Sequence, residues 1–187
     1  MVKPPTTRDA VVPVLAESFR EHGYEGASMA ILQDASGLGR GSLYHFFPGG
    51  KDEMAAAVLT DIRTWFTEHI FAPLRAADNT PEAARQGIQE MFDEVSTYFR
   101  SGRRVCLPGM FALGRERDQF DDAVHGYFIE WVEALTTALN AVGTQEPRNH
   151  AIQLVATIQG GITLTRALNG PDAFDIALSA ARSPLGL

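Results

Sequence analysis

Apolar positions along this chain recur at intervals of three and four residues nearly from end to end, and strand-like alternation is missing. Gly and Pro mostly fall between the periodic stretches and divide them into helices. The first stretch, about 9–22, sets Val11, Val14, Leu15, Ser18 and Phe19 on one stripe. Asp9, or Thr6 with Asp9 three residues on, offers its N-cap. Pro13 lies beyond the tolerated first positions if Asp9 is the cap, so it predicts a kink or a later start. Gly23 ends that helix, and Ser28 caps the next after the loop of Tyr24 to Ala27. Residues 28–36 read as a short helix with Met29, Ile31, Leu32 and Ala35 apolar. Gly37, Leu38 and Gly39 form a tight turn, 40–46 a third short helix, and Pro48-Gly49-Gly50 its break. Lys51 then opens a long amphipathic helix through Met54, Val58, Ile62, Phe66 and Ile70, which should end near Pro73.

Thr80 followed by Pro81 starts another helix, running to about Phe99 with Ile88, Met91, Phe92, Val95 and Phe99 inward. A loop at Gly102-Arg103-Arg104 and a short segment at 106–113 lead into two long helices, about 118–142 and 148–168. A last short helix covers about 172–182. The expected fold is all-α. Residues 1–50 are expected to form a three-helix helix-turn-helix DNA-binding domain, and 51–187 a helical domain of their own.

The first part meets the physical demands of a helix-turn-helix one by one. Gly37 can take the positive φ of the sharp turn, and Leu38 can plug the angle between the helices. Ile31, Ala35 and Leu43 can pack against Leu15 and Phe19. Arg40, Gly41, Ser42, Tyr44 and His45 are left facing outward on a helix short enough for a major groove. Gly41, without a side chain, permits close approach to DNA.

The bulk numbers allow this reading. The chain has 187 residues, 45% of them hydrophobic and 21% charged, which suits one or two globular domains. No apolar run reaches the roughly 20 residues of a membrane span, and the first residues lack a signal-peptide core. The expectation is a cytoplasmic protein with no membrane partner. The net charge of −7 argues at first against nucleic acid. Yet Lys3, Arg8, Arg20, Arg40 and Lys51 cancel Asp9, Glu17, Glu21, Glu25 and Asp34, so the whole deficit lies in 52–187. A neutral head on an acidic body can meet DNA with the head alone. The lone Cys106 excludes an intrachain disulfide and a multi-cysteine metal site. A thiol of this kind is ordinarily a small buried hydrophobe. An enzyme finds little support. Gly37-x-Gly39-x-Gly41 lacks the spacing and the preceding strand of a phosphate loop. Asp121, Asp122 and His125 share one turn without a second cluster to complete a metal site. No cofactor is expected.

The run SMAILQDASGLGRGSLYHFF over residues 28–47, followed by KDEM at 51–54, resembles the tetracycline-repressor (TetR) family. Ser42-Leu43-Tyr44-x-x-Phe47 followed by Lys51-x-Glu53 is a specific signal, and the resemblance spans about 8–60. The helices beyond it look like the family's regulatory domain. The linker through Phe47-Pro48-Gly49-Gly50 is similar to that of the subgroup regulating multidrug-resistance genes. Pro13 departs from the pattern, as do Met29 and Ala30, which stand where some members place polar DNA contacts. The second helix then contributes little beyond Ser28.

On side-chain chemistry, Arg40 suits a guanine edge, since its fork matches O6 and N7. Ser42 and His45 can reach bases or phosphate. Tyr44, Lys51 and the capped helix start at Ser28 suit phosphates. The resemblance implies an operator-binding homodimer, with a bundle formed by the last two long helices. Ala156, Gly160 and Thr163 are then interface candidates. Gly160-Gly161 in mid-helix costs about 2 kcal/mol relative to two alanines, so close packing or a bend beside a ligand pocket must compensate. The resemblance also places a small-molecule effector, lipophilic or aromatic, among Phe66, Phe92, Met110, Phe111, Phe128 and Trp131. An aromatic stripe at helical spacing is otherwise ordinary core. A regulator that ignores ligands and a helical protein-interaction module are the alternatives.

Overall fold

A computed structural model describes residues 5, 7–76, 80–170 and 172–185, for Pro184 the backbone only. The described residues are helical and include no strand. In chain order they form α1 (Arg8–Gly26), α2 (Met29–Ser36), α3 (Arg40–Phe46), α4 (Lys51–Phe66), a wide π turn (Thr67–Phe71) and α5 (Ala72–Ala76). Then come α6 (Pro81–Tyr98), α7 (Leu107–Leu113), a 3-10 turn (Arg115–Phe120), α8 (Asp121–Ala141), α9 (Pro147–Ala167), α10 (Asp172–Arg182) and a 3-10 turn (Ser183–Leu185).

The chain divides into two compact units. One is Met1–Arg63 with Leu107–Val124; the other is Thr64–Cys106 with His125–Leu187. The first unit thus takes in α7 and the start of α8, which the sequence reading groups with the helical remainder. The chain passes between the units within α4, ahead of α7 and within α8.

In the first unit, α1 is capped by Thr7, whose Oγ1 accepts from the Ala10 N–H at 3.3 Å. The cap is therefore not Asp9, which sits in the first turn, where its charge suits the positive helix end. Thr6, the other expected cap, lies outside the described residues. Pro13 neither kinks nor delays the helix. The residue with non-helical angles inside α1 is Gly23 (φ 68°, ψ 172°). Pro13 lies on the exposed face near the N-terminus, where the Asp9 carbonyl it deprives of a partner is accessible to water. Val11, Leu15, Phe19, Leu32, Leu43 and Phe47 have no exposure and make the core of this unit. Fully burying each such side chain contributes about 1.5–3 kcal/mol. Ala35 does not join them: it is exposed, and Ser36 is buried instead. Ser36 lies one turn beyond the buried Leu32, whereas Ala35 continues the half-buried side of Ile31. The Ser36 hydroxyl donates to the Leu32 carbonyl at 2.7 Å. From α7, Phe111 sets its ring edge-on to Phe19 and Tyr24.

In the second unit, the helix does not end at Pro73. The π turn at Thr67–Phe71 passes into α5, which runs to Ala76. A wider turn shifts the carbonyls that a proline ring would otherwise strike, and it absorbs the missing N–H. Thr80 caps α6, its Oγ1 accepting from the Ala83 N–H at 3.1 Å. Ile88, Met91, Phe92, Val95 and Phe99 are buried as the periodicity requires. Phe66 centres a ring cluster, 4.9 Å from Tyr98, 4.9 Å from Tyr127 and 5.3 Å from Trp131. The two mid-helix glycines of α9 separate in role. A Cβ on Gly161 would meet Phe174 and Ala177 of α10 at 3.1 and 3.2 Å, so close packing accounts for it. A Cβ on Gly160 would meet nothing within 4 Å.

Candidate nucleic-acid interface

The α2–α3 corner is built by short-range bonds. Ser28 caps α2, its Oγ accepting from the Ile31 N–H at 3.3 Å. Gly37 ends it in the left-handed conformation (φ 65°, ψ 14°) with its N–H bonded to Asp34 at 3.2 Å. Ser36 Oγ also accepts from the Leu38 N–H at 3.4 Å, a brace absent from the sequence reading. Gly39 then caps α3 without a side-chain bond.

One buried residue decides which way α3 faces. Leu43 has no exposure, so Arg40, Gly41, Ser42, Tyr44 and His45 all lie at the surface together, as expected. Nothing lies within 4 Å of where a Cβ on Gly41 would stand, so that position is open. The Arg40 guanidinium stands 5.5 Å from the Tyr44 ring centre, a cation–π contact one turn along. Tyr44 remains 37% exposed while its ring edge rests against Gly50, where a Cβ would come within 3.5 Å. Between Ala35 and Lys51 the chain carries Arg40 and Lys51 and no acid. The acids that neutralise the head therefore lie on α1 and at Asp34, and the exposed row of α3 is locally cationic.

Lys51 is half-buried. Its Nζ donates to the Tyr24 carbonyl at 3.0 Å and sits 4.3 Å from the ring centre of Tyr24. From sequence Tyr24 reads only as a loop residue. In the fold it is 7% exposed, donates its phenol proton to Asp52 Oδ1 and accepts from Gln119 Nε2 at 3.4 Å. Burial, with the carboxylate of Asp52 beside it, pushes the phenol pKa up to about 12. This latch ties the end of α1 to the first turn of α4 and to the 3-10 turn.

The other candidates fall in separate places. Phe66, Phe92 and Trp131 are fully buried in the second unit, and Phe128 is half-buried there. Phe111 is fully buried and Met110 half-buried in the first unit. Trp131 Nε1 has no hydrogen-bond partner among the described residues. Ala156, Gly160 and Thr163 are exposed on one face of α9, beside Ile152 (44% exposed) and Leu164 (50%). No group of three metal-ligating side chains occurs among the described residues. Nor is any described helix long and apolar enough to cross a membrane.

Comparison with known proteins agrees with this geometry. The profile described as "Bacterial regulatory proteins, tetR family" matches residues 14–58, which hold α2, α3 and most of α1. The HTH-type transcriptional regulator YxaF of Bacillus subtilis is 35% identical over 185 residues, covering 96% of this chain and 94% of its own. The HTH-type transcriptional regulator LmrA of the same organism is 27% identical over 165 residues, 85% of this chain and 86% of its own. Among solved structures, the TetR family regulator CifR, as a cysteine mutant complexed with a 26bp operator duplex, superposes with a TM-score of 0.73 at 23% identity over 97% of both chains. The chain belongs to the tetR family of bacterial regulatory proteins and is a helix-turn-helix transcriptional regulator that binds DNA.

Proposed function

We propose that the protein is a cytoplasmic repressor that grips operator DNA as a homodimer and is released by a small lipophilic or aromatic effector. The observation that carries this reading is the exposed, acid-free row of α3 turned outward by the buried Leu43. Arg40 reads a guanine edge, Ser42 and His45 reach bases or backbone, and Gly41 lets the helix approach. Ser28, Tyr44 and Lys51 hold phosphates and fix the register. Residues 1–50 serve as the reading head, and 51–187 serve for effector binding and dimerisation.

One helix-turn-helix reads too few base pairs alone, so a two-fold dimer supplies the second half-site. The face of α9 with Ile152, Ala156, Gly160, Thr163 and Leu164 supports that role, being small, apolar and exposed. Thr163 turns its hydroxyl back to the Gln159 carbonyl at 3.0 Å and so adds no unmet polar group. Trp131 supports an effector in the second unit. Its indole N–H is fully buried without an acceptor among the described residues, a loss of about 1–3 kcal/mol that an acceptor on a ligand would recover. The effector acts by preferring a form that holds the heads out of register, with α4 as the lever.

The test is fluorescence anisotropy on duplexes flanking the protein's own gene and on a scrambled duplex. Selective binding should fall about 5–150-fold in an Arg40→Ala, Tyr44→Ala variant, the worth of one good bidentate base contact. No selectivity on those flanks or on any duplex selected from a random pool would overturn it. Release by aromatic compounds, weakened in Trp131→Phe, would establish the effector arm.

A further inference from the structure

Where α9 ends in the second unit, a cleft of about 340 Å³ is lined by Arg103, Thr165, Arg166, Asn169 and Gly170. Gly102 fixes its shape. With φ +80°, its backbone lies so close to α9 and α10 that a Cβ would fall 2.6 Å from Thr165 Oγ1 and 2.8 Å from Phe174 Cβ. That contact sets Arg103 beside Arg166, whose Nη1 donates to the Arg103 carbonyl at 3.5 Å. Neither guanidinium has an acidic partner among the described residues. Arg100 lies in the same loop as Arg103, so cationic charge gathers here in a protein of net charge −7.

Thr165 is the second, independent observation. It is 4% exposed, yet its hydroxyl has no hydrogen-bond partner among the described residues. On the same helix Thr157 and Thr163 bond the carbonyl four residues back, at 2.8 and 3.0 Å. Thr165, which lines the cleft, keeps its donor unspent among the described residues. Arg166 in the last turn offsets the negative end of α9, but Arg103 comes from another element and has no such duty.

We infer that this cleft binds a small organic oxyanion, a carboxylate or a phosphate ester. Among the described lining residues, two guanidiniums, a buried hydroxyl and the Asn169 amide supply donors and there is no carboxylate, the complement of such a group. The volume falls at the lower end of small-molecule sites, roughly 300–1,000 Å³. The site is distinct from the aromatic interior around Trp131 and does not depend on operator binding.

The probes are inorganic phosphate and acetate, titrated into the full-length protein at constant ionic strength with chloride as the balancing anion. Saturable binding of at least one is expected, and phosphate-only binding marks a phosphate ester. Arg103→Ala, Arg166→Ala and Thr165→Val should each weaken it about tenfold, the loss of one charge-assisted hydrogen bond. Thr165→Val keeps the packing, so it carries the test if either arginine variant misfolds. No saturable binding to the wild type, or undiminished binding in both Thr165→Val and Arg166→Ala, would overturn the assignment. Displacement of the bound probe by random-sequence duplex DNA would overturn it too, since the occupant would then be a nucleic-acid phosphate.

Discussion

Tyr24 joins three segments far apart in sequence: its own turn after Gly23, the start of α4 through Asp52 and Lys51, and the 3-10 turn through Gln119. Its phenol can donate to Asp52 only while protonated, and the ionised form would set a buried phenolate beside a carboxylate. The folded pKa of about 12 therefore lies above the ordinary value of 10.0. The stabilisation is complete below pH 10 and is lost as pH rises from 10 to about 12. Urea unfolding midpoints should fall across that window, and the fall should be smaller in Tyr24→Phe. An equal fall in both proteins would show that the phenol is not the titrating group. Near neutral pH the same substitution should cost about 1.5–3 kcal/mol, the range for a hydrogen bond to a charged acceptor.

Helix α9 shows how two adjacent glycines are used for opposite purposes. Gly161 lets Phe174 and Ala177 of α10 approach its backbone, whereas Gly160 faces open space. Gly161→Leu should therefore destabilise the subunit by about 1–3 kcal/mol through overpacking. Gly160→Leu should leave the subunit as stable or raise its stability by about 1 kcal/mol, since leucine is the better helix former. If the outer face of α9 is the dimer surface, Gly160→Leu should still shift the protein to monomer in sedimentation velocity at micromolar concentration. A dimer of unchanged strength would remove that face from the interface.

At the scale of the whole molecule the sign and placement of charge dominate. The deficit of seven lies beyond residue 51, while the stretch from Ala35 to Lys51 is free of acids. Binding should therefore be carried by few phosphate contacts and show a correspondingly shallow salt dependence, with log K falling by about 0.9 per neutralised phosphate against log salt. Lys51→Gln separates the two uses open to that side chain. If Lys51 also holds a phosphate, the slope should become shallower by about 2 in a dimer, one for each subunit. If it serves only the Tyr24 carbonyl and ring, the slope should stay the same while thermal stability drops.

The sequence by itself determined the helices, their order and the outward row of α3. Those follow from local rules: caps at Ser28 and Thr80, the left-handed turn at Gly37, and the spacing that puts Leu43 inside and Arg40, Ser42, Tyr44 and His45 outside. Within elements it misses the cap of α1, the tolerance of two prolines, and the burial of Ser36 in place of Ala35. The caps at Asp9 and Thr7 compete over two residues, and Pro13 and Pro73 are tolerated because exposure or a widened turn relieves what a regular buried helix could not. Only the tertiary structure decided that Phe111 packs on Phe19 and Tyr24 rather than in the second unit, and that Trp131 keeps its N–H unpaired among the described residues. Only it brought Arg103 to Arg166 across 63 residues, over a glycine whose neighbour Thr165 leaves no room for a side chain. Periodicity states which face of a helix is apolar. It does not state which other face will meet it, because that choice rests on shape complementarity between segments distant in the chain.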